Sequence, residues 1–466
     1  MEAVGLKRPG GAQELCGRRV VVVGLGRSGL AAARFLRAVG AEVTVTDRAP
    51  RGTLAGADEL EALGVRVEAG GHGGGTVAGA ELVVTSPGVA RDAGVLDEAR
   101  RAGAEVIGEL ELAWRCIDEP VAAVAGTNGK STTTALLGAM LEAAGMKVFV
   151  GGNIGTPLIE YAASGEKADI CVVEVSSFQL ETVSSFRPRV AVLLNITEDH
   201  LDRYEDFDDY ARTKMRLFEN QGPGDFAVVN RADPVVMGLV GRMRPASRLI
   251  GFGGRPGADG VVIEGGRVVF RLDGREESMD MSRFGLAGAH NRENLAAAFA
   301  AAMALGAAAR SAERAAAAFR GLPHRMELVG EFGGVRYYDD SKATNVGAVV
   351  KTLEGIDGPV VLIAGGRNKG GDFSPLREAV KGRVKLTVLI GEARCELEAA
   401  LSGAVPTRLA GGMAEAVAAA REAACAGDTV LLSPACASFD MYRGFEERGE
   451  HFKEVVEASA AEAGRS

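Results

Sequence analysis

The sequence has no excess of positive charge. It carries 53 Lys plus Arg against 62 Asp plus Glu, a net charge of −9. A non-specific nucleic-acid binder shows the opposite balance, so no nucleic-acid partner is expected. Cys-x-x-Cys pairs are also absent. The six cysteines (Cys16, Cys116, Cys171, Cys395, Cys425 and Cys436) stand singly, which excludes zinc-ribbon spacing and fits a reducing compartment. No long apolar run occurs. The longest uncharged stretch, Leu295–Ala309, is mostly alanine and falls short of the ~20 strongly apolar residues of a membrane span. It reads as a helix packed by small side chains. The first nineteen residues lack an apolar core, so no signal peptide is expected. A soluble cytoplasmic protein is the expectation. Fixed-period repeats and low-complexity tails are missing too. What is present is an ordinary globular balance, 47% hydrophobic and 25% charged. The one surplus is glycine, 64 of 466 residues, against a usual share of roughly 7%. Glycine costs entropy unless its backbone freedom is used, which directs attention to phosphate-binding turns.

At roughly 150 residues per domain, 466 residues suggest about three domains. Short apolar runs recur between helical patterns: Val20–Val23, Val43–Thr46, Leu82–Thr85, Val121–Ala125, Ile170–Glu174, Val190–Asn195, Val360–Ala364, Leu386–Ile390 and Thr429–Ser433. Buried strands alternating with helices indicate an α/β protein with parallel sheets. Gly260–Leu272 differs, alternating around Gly265-Gly266 like a hairpin. Asp118-Glu119-Pro120 and Gly321-Leu322-Pro323 break the helical patterns before them. The expected domains are therefore 1–112, 113–321 and 322–466.

Gly24-Leu25-Gly26-Arg27-Ser28-Gly29 follows the first strand and opens a helix. Asp47 ends the next strand, about 20 residues on, which completes a Rossmann-like dinucleotide fingerprint. The physics is less specific than the pattern. Any diphosphate is at home at a helix N-terminus, so a UDP-sugar fits as well as NAD.

A second glycine motif follows Val121–Ala125. It reads Gly126-Thr127-Asn128-Gly129-Lys130-Ser131-Thr132, with a helix expected over Thr133–Ala144. Strand, glycine turn, lysine, hydroxyl and helix form a P-loop. Its N–H groups cradle phosphates, Lys130 reaches the terminal ones and Ser131 contacts Mg²⁺. The loop departs from the general pattern because Val124 stands where the first glycine belongs.

From here the chain resembles the Mur ligases, ATP-dependent amide ligases of peptidoglycan precursor synthesis. The resemblance is carried by the 126–132 loop and by further segments in order. These are Gly151-Gly152-Asn153-Ile154-Gly155, Glu174-Val175-Ser176-Ser177-Phe178-Gln179-Leu180 and Asn195-Ile196-Thr197-Glu198-Asp199-His200. Then come His290-Asn291-Arg292-Glu293-Asn294, Leu322-Pro323-His324-Arg325, Asp340-Ser341-Lys342-Ala343-Thr344-Asn345 and Ser433-Pro434-Ala435-Cys436-Ala437-Ser438. Together they span nearly the whole chain. The opening G-L-G-x-S-G-L, the D-S-K-A-T-N segment and the G-F-x-x-R-G at Gly444–Gly449 are in the style of the member that adds D-glutamate to UDP-N-acetylmuramoyl-L-alanine. The D-N-P-R signature of the diamino-acid-adding member is absent.

The resemblance implies three domains: a Rossmann-like UDP-binding domain, a central P-loop ATPase domain and a C-terminal Rossmann-like amino-acid domain. It implies transfer of the ATP γ-phosphate to a carboxylate and attack by an amine on the acyl phosphate. It further implies Mg²⁺, two ions, with Ser131, Glu174 and His200 as ligands. A lone glutamate at a strand end can also cap a helix, and a lone loop histidine is ordinarily a polar surface or core residue. Imidazole is an unusual Mg²⁺ ligand, so His200 rests on the resemblance. Lys214 reads from its neighbours as one more surface lysine on a helix. In the resembled family the lysine at this place is carbamylated, a change from cation to carboxylate-like ligand. Asn291 and Asn294, three apart on a helix, share a face that can read an adenine edge, although Asn291 can equally be a helix N-cap. Arg325, Asp340 and Lys342 would bring the third domain to the ATP. For the UDP end the candidates are Gly26, Arg27, Ser28, Asp47, Arg48, Ser86 and Gly88. Asn153, Ser176 and Ser177 match segments that hold the muramoyl-alanine arm. For D-glutamate they are Thr344, Lys369, Ser438 and Phe445, of which Phe445 can equally be core. Lys130, His200, Lys214 and Lys342 are the candidate catalytic residues. The family points to a monomer acting on small molecules.

Three other readings stand beside this one. A sister ligase would add another amino acid. A nicotinamide oxidoreductase would use Gly24–Gly29 and leave the P-loop without a task. A P-loop switch would leave Glu174, His200 and the third-domain lysines without one.

Overall fold

The computed structural model describes residues 11–73, 75–200, 203–254, 259–286, 288–356, 358–368 and 370–463. They form three sheets laid out in chain order. The first contains β1 (Arg19–Val23), β2 (Glu42–Asp47), β3 (Arg66–Ala69), β4 (Leu82–Thr85) and β5 (Glu105–Gly108). All pairs are parallel, in the order β3-β2-β1-β4-β5. The order reverses between β1 and β4, so the crevice at their carboxyl ends is where a ligand belongs.

The second sheet has nine strands: β6 (Val121–Ala125), β7 (Val148–Gly152), β8 (Ile170–Glu174), β9 (Val190–Leu193), β10 (Phe226–Asn230), β11 (Arg248–Phe252), β12 (Gly260–Glu264), β13 (Arg267–Leu272) and β14 (Arg275–Asp280). Their order is β14-β13-β12-β11-β10-β9-β6-β8-β7. The hairpin expected around Gly265-Gly266 is the antiparallel β12–β13 pair. β6, β8 and β9 are buried at every position and apolar except for Glu174 at the end of β8, as strands covered on both faces must be. One face packs under helices Lys130–Ala143, Ala289–Ala304 and Ala309–Ala318. Alanines on these helices let the layers approach closely. The expected Leu295–Ala309 helix is part of Ala289–Ala304, and the chain breaks at Leu305–Ala308.

The other face of the second sheet shares a continuous core with the first sheet. Helix Glu109–Arg115 joins the two and runs across position 112. Its Glu111 is fully buried, accepting backbone N–H from Ser184, Ser185 and Phe186 at 2.9 Å each. These bonds, with Arg115, outweigh burial and hold its pKa below the usual value.

The third sheet contains β15 (Glu327–Phe332), β16 (Val335–Asp339), β17 (Val360–Gly365), β18 (Val384–Ile390), β19 (Thr407–Leu409) and β20 (Thr429–Leu432), in the order β15-β16-β20-β17-β18-β19. Only the β15–β16 hairpin is antiparallel. Helices cover both faces, and Phe445–Ala463 closes the domain. Among the described residues no helix is long and apolar enough to cross a membrane.

Candidate active site

After β6 the chain turns through Gly126 (φ 152°) and Gly129 (φ 84°), backbone that L side chains avoid. A Cβ at Gly129 would lie 2.3 Å from Asn294 Oδ1. The helix begins at Lys130, three residues before the expected start, and no side chain caps it. Its first N–H groups therefore face the loop, where an anion is stabilised. Lys130 Nζ folds back onto the carbonyls of Gly126 (3.0 Å) and Thr127 (2.8 Å). Asn195 braces the turn, accepting from Asn128 N at 2.8 Å and donating to Asn128 O at 3.1 Å. Thr127 Oγ1 contacts the Tyr210 hydroxyl at 3.0 Å and accepts from Thr197 N at 3.0 Å.

Glu174 ends β8 with 2% exposure. Its Oε1 accepts from Asn153 Nδ2 at 2.7 Å. Oε2 is buried and has no hydrogen-bond partner among the described residues. An orphaned buried carboxylate oxygen is costly unless a cation takes it, and oxygen donors suit Mg²⁺. Lys214, on helix Phe207–Met215, is also 2% exposed, so it is not the surface lysine its neighbours suggest. Its Nζ donates to Gly126 O at 2.9 Å and lies 4.7 Å from the Tyr210 ring centroid. Burial, then the charge of Lys130, pushes the amine well below the ordinary lysine value, with Asp199 and Glu174 opposing. His200 stands on the loop after β9 with φ 56°. Its ring meets Phe178 edge-on at 4.7 Å, and Nε2 is 3.6 Å from Asp199 Oδ2.

The third domain reaches into this site. Arg325 Nη2 donates to Ser131 Oγ at 2.8 Å, and Asn345 Nδ2 donates to Asp199 Oδ2 at 3.3 Å. Lys342 Nζ lies 3.7 Å from the Phe445 ring centroid. Burial, then the charge of Arg325, pushes Lys342 down to about 8, with a further push from Lys130 and opposition from Glu174 and Glu446. Asp340 is pushed up to about 6 by burial, although the Ser433 and Thr352 hydroxyls donate to its Oδ2 at 2.8 Å each. Thr344 N donates to Lys342 O at 2.8 Å, and the buried Ser438 accepts through its carbonyl from Tyr442 N at 2.9 Å. Phe445 is half-buried beneath Lys342. Lys369 lies outside the described residues.

Asn291 and Asn294 are buried on one helix face, with Asn294 Nδ2 3.4 Å from Asn291 Oδ1. Gly288 occupies the N-cap, so Asn291 is an interior residue of the first turn and not the cap.

In the first domain, a Cβ at Gly29 would fall 1.9 Å from Gly24 O and 2.6 Å from Ser86 Oγ. Glycine there lets the helix sit directly on the strand ends, and Ser86 Oγ donates to Gly24 O at 2.7 Å. Gly26 has open space around it. Asp47 accepts from Leu25 N at 2.6 Å and Ala49 N at 2.7 Å, fixing the loop that faces the crevice. Arg27, Ser28, Arg48 and Gly88 line the same end, with Arg27, Arg48 and Gly88 exposed. Ser176 forms a capping box with Gln179, and Ser177 is buried in the short helix that follows.

Family comparisons cover this whole layout. Residues 18–108 match the Mur ligase MurD-like N-terminal domain, 124–302 the Mur ligase middle domain, and 324–436 the Mur ligase glutamate ligase domain. A UDP-N-acetylmuramoylalanine–D-glutamate ligase of Geobacter metallireducens is 50% identical over 450 residues, covering 96% of this chain and 98% of the relative. The ligase of the same name from Geotalea uraniireducens is 48% identical, covering 97% and 100%. The chain belongs to the Mur ligase family. Solved structures agree on the fold. MurF from Thermotoga maritima in complex with ADP superposes with a TM-score of 0.60 at 18% identity, covering 99% of this chain and 100% of that one. A pseudomurein peptide ligase type C from Methanothermus fervidus gives 0.61 at 20% identity, covering 95% and 100%.

This Mur ligase brings Lys130, Ser131, Lys214 and Arg325 together at the P-loop, with Glu174 and Lys342 close enough to shift or oppose one another's charge. The UDP candidates gather separately, at the β1 and β4 ends. Several contributors went unassigned from sequence. Asn195 lies inside a quoted segment and Tyr210 four residues before Lys214, but neither has distinctive chemistry in isolation. Arg448, 1% exposed, lies in G-F-x-x-R-G and donates to Ser341 Oγ and O and to the Cys436 carbonyl. Arg91 donates twice to Asp209, tying the 86–91 loop to the Lys214 helix. Arg448 stands in a quoted motif without having been given a role, and nothing local in the sequence marks Arg91.

Proposed function

We propose that this Mur ligase joins D-glutamate to UDP-N-acetylmuramoyl-L-alanine, with ATP giving ADP and phosphate. The observation that carries the reading is the coupling of the Lys342 charge to Lys130, Arg325 and Glu174 across two domains, with Arg325 donating to Ser131 and a buried Glu174 oxygen without a hydrogen-bond partner, in a chain half identical to D-glutamate ligases. We divide the chain into a UDP-substrate part (1–112), an ATP part (113–321) and an amino-acid part (322–466).

The diphosphate sits on the backbone of Gly26–Gly29 with Ser28, Arg27 and Arg48 beside it, and Ser86 and Gly88 complete the pocket. Asp47 holds the loop and meets the uracil or ribose. Asn153, Ser176 and Ser177 guide the muramoyl-alanine arm toward Glu174. ATP lies on Gly126–Thr132, its adenine against Asn291 and Asn294, with Arg325 and Asp340 closing from the third domain. The substrate carboxylate attacks the γ-phosphorus, forming an acyl phosphate and releasing ADP. Lys130, Arg325 and Lys342 neutralise charge that builds on the moving phosphoryl group. The D-glutamate amine, held through Thr344, Lys369, Ser438 and Phe445, attacks the acyl carbon. Phosphate leaves and the amide forms. Closure of the third domain keeps water from the acyl phosphate.

Magnesium supplies charge neutralisation at the phosphate oxygens. Ser131, Glu174, His200 and Lys214, once carbamylated, would hold it, as two ions. The depressed amine of Lys214 supports carbamylation, because only the neutral amine adds CO₂. The protein acts as a cytoplasmic monomer.

The test is product formation with ATP, Mg²⁺ and UDP-N-acetylmuramoyl-L-alanine, offering D-glutamate, L-glutamate, a diamino acid or no amine. Amide with D-glutamate alone supports the full reading. Product only with another amine moves the chain to a sister ligase. No amide with any amine overturns it.

A further inference from the structure

Arg325 is flanked by two residues with left-handed backbone, His324 at φ 61° and Met326 at φ 49°. Neither is glycine, so each is strained, and such a kink persists only where its surroundings hold it. Those surroundings are specific. The His324 and Asp339 side chains are 6% and 0% exposed, with Nδ1 2.7 Å from Asp339 Oδ2. The other oxygen of Asp339, the last residue of β16, accepts from Ser341 N at 2.9 Å. The backbone N of His324 donates to Glu327 Oε2 at 2.8 Å. Its carbonyl accepts from Lys342 N at 3.1 Å. One residue thus joins the arginine on Ser131 to the lysine beside it.

The closing helix packs on this pair without a side chain between. A Cβ at Gly449 would lie 2.2 Å from His324 Nδ1 and 2.5 Å from Asp339 Oδ2. The same three side chains, His324, Glu327 and Asp339, lie close enough to suggest a metal site. The Lys453 ammonium, 3.2 Å from Glu327 Oε1, and the hydrogen-bond spacing of His324 to Asp339 argue for an ion-paired, hydrogen-bonded knot instead.

We propose that His324 is a positioning residue. Its buried hydrogen bond to Asp339 holds residues 322–326 in the kink that aims Arg325 at Ser131 and sets Lys342 beside it. This rests on the reading of the P-loop as the ATP site. A displacement of about 1 Å at such a group can cost about a hundredfold in rate, so the knot is expected to matter although it touches no substrate.

The test uses the full chain. His324→Gly keeps the left-handed backbone accessible and deletes the ring. Asp339→Asn keeps the shape and weakens the bond, which covers the case in which the first variant melts early. Both should raise the KM for ATP and lower kcat by about tenfold or more, leaving the KM for the UDP substrate within about twofold. In an Arg325→Ala background, His324→Gly should cost clearly less than it does in the wild type, because one of the two groups it sets, the guanidinium, is gone and only Lys342 remains to be misplaced. Equal losses in both backgrounds would mean a merely structural role and overturn the proposal. So would wild-type ATP kinetics in Asp339→Asn. Affinity for a non-hydrolysable ATP analogue, measured by calorimetry, separates the two layers. If the wild type binds the analogue but forms no amide, the ligase reading fails. Weaker analogue binding by the variants would then still support the positioning role, and unchanged binding would end it.

Discussion

Individual side chains in this site are held in states that cost stability. Asp340 is the clearest case. Its carboxyl is pushed from 3.8 up to about 6, so the folded protein resists its ionisation. A raised carboxyl contributes stability that is complete below pH 3.8 and lost as pH rises through about 6. A shift of this size corresponds to about 3 kcal/mol at neutral pH as an upper bound. Asp340→Asn retains an acceptor for Ser433 and Thr352 and has no charge to bury. It should therefore melt higher than wild type at pH 7.5, match it near pH 4, and turn over poorly. Equal melting at both pH values would show that the carboxyl is not strained. Lys214 carries the opposite burden, a buried amine pressed toward neutrality beside Lys130. Lys214→Ala should lose about a hundredfold or more in kcat, with partial rescue by small carboxylates such as acetate or propionate. Failure of every small acid to rescue would count against a carboxylate-like group at this position.

At the scale of elements, two glycines of one turn have different duties. Gly29 lets the helix rest on Gly24 and Ser86, whereas Gly26 has nothing within contact distance. Gly29→Ala should cost about 2 kcal/mol or more through overpacking, read as an earlier melting transition. Gly26→Ala should leave melting unchanged and weaken UDP binding, because only the ligand comes close. If Gly26→Ala binds the UDP substrate as the wild type does, the diphosphate does not lie against this turn. The turn, its helix and the acidic residue that ends β2 were legible from glycine spacing and strand pattern. So were β4, β6 and β8, whose bounds coincide with their apolar runs. Edge strands were not. β3 is Arg-Val-Glu-Ala and β19 Thr-Arg-Leu, each half open to solvent and without an apolar run. Lys214 was illegible for another reason. Its helix looks polar, and only the docking of that helix on the P-loop buries the lysine. The same holds for His324 and Arg448, whose roles depend on strands and helices far away in sequence.

Across the whole molecule the charge is −9, yet Lys130, Arg325 and Lys342 converge from two domains and oppose one another's protonation. This is a site built for polyanions on an acidic protein. Burial and neighbouring cations push Lys342 down to about 8. The charged form, which the proposed function assigns to phosphoryl transfer, is therefore present below that value and lost above it. Bound ATP reverses the balance, since its phosphates favour the ammonium. Two pH profiles should consequently differ. The profile of kcat/KM for ATP reports the free enzyme and should fall as pH rises through about 8. The kcat profile reports the loaded enzyme, and its falling limb should lie at higher pH. Lys342→Arg should remove the kcat/KM limb near 8, because a guanidinium stays charged throughout, even if the altered geometry lowers the rate. A limb that persists in Lys342→Arg would belong to another group. Coincident limbs in the wild type would mean that nucleotide does not relieve the repulsion between the domains, and that closure of the third domain is driven by contacts other than charge.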